Sequence, residues 1–113
     1  SNRSTSVDFH NMKQRIILKA NIFKALGHPT RLWMVEQLAQ GEKCVCEFVE
    51  GVDVDFSTIS KHLSVLRHAG IVDMEKRGKQ IFYRLTMPCL LTSLHCIDGL
   101  LDQQIQKQIA LIE

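Results

Sequence analysis

The chain lacks any apolar run approaching the roughly 20 residues needed to cross a bilayer, so no membrane span is expected. It also lacks the basic start and apolar middle of a secretory signal, which points to the cytoplasm. Repeats, low-complexity tracts and linkers are missing too, and the 113 residues read as one domain, 11–113, behind a flexible tail at 1–10. Catalytic patterns are equally scarce. No glycine-rich phosphate loop and no ordered Ser/His/Asp set is present, and there is no Cys-x-x-Cys beside a βαβ pattern, as a thiol oxidoreductase would need. The expectation is a protein without enzymatic activity or a small-molecule substrate.

Net charge is small as well, at +2, and argues for no partner by itself. Its distribution says more. Glu42 to Asp55 holds five acidic residues and one lysine, a local balance of −4. Ser57 to Arg84 holds six Lys/Arg against Asp73 and Glu75, a local balance of +4. One stretch therefore carries the attraction for an anionic partner.

What is present is ordinary globular patterning, with 45% hydrophobic and 23% charged residues. Ile16, Ile17, Ala20, Phe23 and Leu26 mark a first helix over Met12–Leu26. Pro29 suits the first position of a second helix, whose pattern of Leu32, Val35, Leu38 and Ala39 runs to Gly41. A short third helix spans Val45–Glu50, and Gly51–Val54 turns the chain. Asp55 is placed to cap a fourth helix over Phe56–Ala69, ended by Gly70. Ile71–Lys76 and Gln80–Leu85 form a hairpin with the basic tip Arg77-Gly78-Lys79. Pro88 opens a last helix reaching Ile112, with Leu90, Leu91, Leu94, Ile97, Leu101, Ile105 and Ile109 too numerous for one side of a small domain. The fold class is mainly α with a small β-hairpin, in the order α-α-α-α-β-β-α, a winged helix-turn-helix that pairs with a second copy.

A helix that reads the major groove needs short polar and basic side chains at base edges and phosphates. Ser57, Thr58, Ser60, Lys61, His62 and Arg67 on the fourth helix meet that need, and Lys76, Arg77 and Lys79 on the hairpin are placed to reach the backbone beside it. Double-stranded DNA is the expected partner.

From Phe23 to Leu85 the sequence resembles the ArsR/SmtB family of metal-responsive repressors. The resemblance rests on Ala25-Leu26-Gly27-His28-Pro29-Thr30-Arg31-Leu32, on Gly41-Glu42-Lys43-Cys44-Val45-Cys46-Glu47, on Ser57 to Arg67, and on Ala69-Gly70-Ile71-Val72 and Phe82-Tyr83-Arg84-Leu85. It implies a homodimer joined through the first and last helices, a palindromic operator, and release when an inducer binds.

Four cysteines stand at 44, 46, 89 and 96, expected as thiols, metal ligands or redox sensors rather than structural disulfides. Cys44 and Cys46 lie where the third helix begins, which favours thiolates, and soft thiolates select soft ions. The resemblance implies a sensing site there for arsenite or antimonite, As(III) or Sb(III), or for a thiophilic divalent metal such as cadmium or lead. A third ligand would have to be Cys89 or Cys96. These are seven residues apart, about 10.5 Å along a helix, so they cannot clasp one ion together. The family's zinc site on the last helix would fall near Met87, Cys89 and Leu100, which cannot assemble it, and no permanent cofactor is expected. A persulfide- or redox-responsive branch with a similar hairpin is the alternative. Its second-helix cysteine is replaced here by the Trp33-Met34-Val35-Glu36 stretch, so a redox switch would need another pair, such as Cys44 or Cys46 with Cys89.

Overall fold

Local punctuation sets most of the architecture. The computed structural model describes the backbone of residues 2–51 and 53–112, and the side chains of those from His10 onward. Ser1, Val52 and Glu113 fall outside the described residues, and with them the first residue of the expected tail and the centre of the Gly51–Val54 turn. The elements run α1 (Asn2–Leu26), α2 (Pro29–Leu38), β1 (Lys43–Cys44), α3 (Val45–Gly51), α4 (Phe56–His68), β2 (Val72–Arg77), β3 (Gln80–Leu85) and α5 (Leu90–Ile112).

Two helix starts and one strand differ most from expectation, and other element ends shift by one to three residues. Helix α1 starts at Asn2, ten residues before Met12, because the polar stretch ahead of Met12 contains no Gly or Pro to stop it. Helix α5 starts at Leu90, after a turn at Pro88 and Cys89 in which Leu90, Leu91 and Thr92 N–H donate to the carbonyls of Met87, Pro88 and Cys89. The third difference is a strand. Lys43 and Cys44 pair antiparallel with Tyr83 and Phe82, making the hairpin a three-stranded sheet in the order β1-β3-β2. The order is therefore α-α-β-α-α-β-β-α.

Pro29 opens α2 as expected, and His28 caps it, its Nδ1 accepting the Thr30 N–H at 3.1 Å. Asp55 caps α4, accepting the Thr58 N–H at 2.8 Å and the Ser57 hydroxyl at 3.2 Å. The far end of α4 closes in a Schellman motif: Ile71 N–H reaches the Leu66 carbonyl, Gly70 N–H reaches that of Arg67, and Gly70 takes φ 82°. Ile71, fully buried, is thereby delivered into the core beside Leu66. Between β2 and β3, Gly78 at φ 65° makes the tight turn.

One core holds these pieces, built on the fully buried Met34, Val35, Phe48, Ile59, Leu63, Leu66 and Ile71. Ile22, Ala25 and Leu26 anchor the end of α1 to it, and Leu90 and Leu94 anchor the start of α5. The rest of both helices projects outward with its apolar residues uncovered, among them Met12, Ile16, Phe23, Ile97, Leu101, Ile105 and Ile109. The radius of gyration is 18.4 Å, well above the roughly 13 Å of a self-contained domain of this length. Among the described residues no helix is long and apolar enough to cross a membrane.

Candidate nucleic-acid interface and cysteine site

Helix α4 buries Ile59, Leu63 and Leu66, a stripe at i, i+4 and i+7. The same periodicity places Ser57, Lys61, Ser64 and His68 at i, i+4, i+7 and i+11, and all four are exposed. They form a continuous polar stripe facing away from the core, the geometry a groove-reading helix needs. Two of them, Ser64 and His68, were absent from the expected set although the spacing alone identifies them. His68 Nδ1 donates to the Ser64 carbonyl at 2.7 Å, which orients its ring. Thr58 and Ser60 are half-buried on the flanks of the stripe, and Arg67 is exposed one position off it. The Asp55 carboxyl at the foot of α4 is held below its usual range, chiefly by the hydrogen bonds from Thr58 and also by that from Ser57, so the cap is ionised at neutral pH.

The structure turns two expected contacts elsewhere. The His62 ring lies 4.5 Å from that of His28, and its Nδ1 accepts from Arg31 Nη1 at 3.3 Å. Partial burial first, then the nearby His28 and Arg31, push its pKa below the usual histidine value, leaving it neutral. His62 thus ties α4 to the start of α2. Arg77 is likewise engaged: both guanidinium Nη atoms hydrogen-bond to Glu42, one also to Glu75 at 2.8 Å, and its Cζ lies 4.9 Å above the Phe82 ring. The bond to Arg77 holds Glu42 below the usual carboxylate range, and Glu42 and Glu75 in turn raise the arginine. Arg77 therefore braces the wing against the loop after α2. Lys76 and Lys79 are exposed, and no ion pair with a described residue holds either.

This division predicts unequal effects on DNA binding. Lys79→Gln is expected to lower affinity uniformly across sequences and to reduce the magnitude of the log Kd against log [salt] slope by about 1, the mark of one lost phosphate contact. Arg77→Gln is expected to leave that slope unchanged, because its charge is already neutralised. Fluorescence anisotropy of a labelled duplex over a salt series distinguishes the two, and equal slope changes would refute the assignment.

Cys44 and Cys46 were expected as thiols and are joined in a disulfide, with Cα atoms 5.5 Å apart. Strand β1 and the first turn of α3 set their side chains against each other. Cys44 is buried on β1 opposite Phe82, and its N–H donates to Glu47 Oε2 at 3.0 Å. Cys46, one residue into α3, is exposed. The bond thus joins the edge strand of the wing to the helix that leads into the α4 cap. Cys89 and Cys96 are free and exposed, before and on α5. Among the described residues no group of three or more His, Cys, Asp or Glu side chains is close enough to hold a metal ion. One chain therefore does not bring the four cysteines together as a three-thiolate site. Glu36, His95 and Asp98 line a cleft between α2 and α5 without forming such a group either.

A polar reading helix flanked by a basic hairpin defines a winged helix-turn-helix DNA-binding protein. Residues 28–74 match the family described as "Bacterial regulatory protein, arsR family". The chain is 47% identical over 74 residues to the biofilm growth-associated repressor of Agrobacterium fabrum, covering 66% of this chain and 63% of that protein. It is 43% identical over 76 residues to the protein of the same name from Xylella fastidiosa, covering 67% of each. The crystal structure of the transcriptional repressor BigR from Xylella fastidiosa superposes with a TM-score of 0.65 at 40% identity, over 78% of this chain and 93% of that one. The chain belongs to the ArsR family of bacterial regulators. It spans about two thirds of the length of these two curated relatives.

Proposed function

We propose that the protein is a cytoplasmic transcriptional repressor that binds a palindromic operator as a homodimer and is released when Cys44 and Cys46 are oxidised to their disulfide. The observation that carries the trigger is the position of that bond, between the edge strand of the wing and the helix preceding the reader. Closing it fixes β1 to the first turn of α3, and α3 packs directly on α4. The restraint thus lies between two elements that each touch a DNA-reading part, β1 pairing with β3 of the wing and α3 packing on α4, a place from which a change of redox state can bias both. The names of the relatives support repression, and the uncovered apolar faces of α1 and α5 support the dimer.

A soft ion shared by the reduced pair is the other trigger, favoured by the family resemblance. Among the described residues no third donor stands beside the pair, so Cys89 or Cys96 of a second copy is the candidate to supply it. The sequence placed the soft-ion trigger first and the redox trigger second; the joined Cys44–Cys46 pair supports the redox one.

The test selects bound sequences from random duplex DNA with reduced protein, footprints the winner, and titrates the complex. Two symmetric half-sites about one helical turn apart are expected. Release by a mild oxidant or persulfide donor, lost in Cys46→Ser, supports the reading. Release only by arsenite or cadmium at one ion per subunit replaces the redox trigger with a metal one, and a footprint without symmetry overturns the dimer.

A further inference from the structure

Beside the disulfide lies a cavity of about 230 Å3 between the start of α3, the start of α4 and the turn of the wing. Its walls are mostly apolar, from Val45, Phe56 and Ile81, and Phe56 remains 62% exposed. Cys44, Cys46 and Lys79 line the same cavity. Of the two bonded sulfurs, the one on exposed Cys46 is open to attack, whereas Cys44 is 6% exposed. The cavity thus combines a disulfide with one exposed cysteine, a cation with no described ion-pair partner, and apolar walls. Its volume is below the roughly 300 Å3 at which pockets for drug-sized ligands begin, so its occupant is small.

We infer that this cavity is a thiol-exchange site for a short anionic thiol, one bearing a carboxylate near its sulfur; the inference rests on the redox reading of the Cys44–Cys46 pair. Lys79 attracts the carboxylate, Phe56 and Ile81 cover the methylenes, and the thiolate meets the Cys46 sulfur. The incoming thiolate forms a bond to Cys46 Sγ while the Cys44–Cys46 bond breaks. The electron pair leaves on the Cys44 sulfur, which takes a proton from solvent. The product is a mixed disulfide on Cys46 and a thiol on Cys44. A second thiol attacking the mixed disulfide at the reagent's sulfur releases Cys46 as a thiolate, with the reagent leaving as its own disulfide. The pair is reduced and two thiols are oxidised, so the cavity is the entry by which small thiols reset the switch. Because Lys79 belongs to the wing and Phe56 opens α4, the mixed disulfide also occupies groups next to DNA.

The test uses the full chain with Cys46 as its one thiol (Cys44→Ser, Cys89→Ser, Cys96→Ser). It is reacted with 3,3′-dithiodipropionate, bis(2-hydroxyethyl) disulfide and cystamine, which differ in charge at similar size. Each rate of adduct formation, read by mass spectrometry, is divided by the rate of the same reagent with 2-mercaptoethanol. The dianionic reagent is expected to react about fivefold faster than the neutral one and cystamine more slowly, with the preference shrinking in 0.5 M salt. Lys79→Gln should abolish the preference, and Phe56→Ser should slow all three reagents. In the otherwise unmodified chain, 3-mercaptopropionate should reduce the disulfide faster than cysteamine once each rate is divided by that of the same thiol with bis(2-hydroxyethyl) disulfide, which removes their difference in nucleophilicity and keeps the test independent of the Cys44→Ser background. Equal normalised rates, or a preference that survives Lys79→Gln, would overturn the site. A charge preference combined with unchanged DNA affinity of the disulfide form would uphold the site and overturn the switch.

Discussion

Phe48→Ala is expected to lower the free energy of unfolding by about 3–5 kcal/mol, a large fraction of what a domain of this size possesses. Phe48 is fully buried on α3, and the Trp33 ring meets it edge-on with centroids 6.1 Å apart. A seven-residue helix makes little stability of its own, so its position depends on packing, in which Phe48 is its one fully buried side chain and Val45 and Val49 pack beside it. Removing the ring leaves a void between α2 and α3 and frees the segment that carries Cys46 and leads into the Asp55 cap. DNA binding should therefore fail along with the fold. Phe48→Leu, which retains most of the volume, should cost less than about 1.5 kcal/mol and leave binding measurable. Urea unfolding at fixed protein concentration gives both numbers, and a loss under 1 kcal/mol for alanine would show that α3 is not held by this contact.

Glutamates at Ile97 and Ile105 together are expected to convert the dimer to monomer and abolish tight operator binding. Ile97, Leu101, Ile105 and Ile109 repeat every fourth residue along α5 and are 44–52% exposed in the single chain. Met12, Ile16 and Phe23 on α1 are 58–73% exposed. Covering the exposed half of one such side chain contributes about 1 kcal/mol, a carboxylate in its place adds a desolvation cost, and the two-fold dimer carries each replacement twice. Two replacements should weaken association by at least ~4 kcal/mol, about a thousandfold. The monomer keeps its own core because Leu90 and Leu94, which anchor α5, are untouched. Light scattering behind size exclusion reads the mass, and circular dichroism confirms the fold. A folded doubly substituted chain that still runs as a dimer would mean the partner contacts lie elsewhere.

The reading helix and the wing were legible in the sequence because their signals are local. Asp55, the Ile59/Leu63/Leu66 stripe, Gly70 and the Arg77-Gly78-Lys79 turn each act within a few residues, and each lies where the pattern placed it. Strand β1 was not legible. It is two residues long, and its partners Phe82 and Tyr83 lie almost forty residues further on. The same distance hid the engagement of Arg77 by Glu42 and of His62 by Arg31, pairs separated by 35 and 31 residues. A basic tip read from composition is only partly available to DNA once the fold pairs one of its charges. The disulfide was hidden for another reason: a Cys-x-Cys spacing does not reveal whether the intervening residue turns the sulfurs together, and here the strand-to-helix junction at Val45 does so.

If the state of the Cys44–Cys46 pair sets the affinity for DNA, the Kd for the selected operator differs between the reduced chain and the disulfide form measured at one salt concentration. At least a tenfold weaker Kd is expected for the disulfide form, reversed on reduction and absent in Cys46→Ser, within the roughly 1–3 kcal/mol typical of coupled sites. Equal affinities of the two forms, with the bond verified by mass, would contradict it.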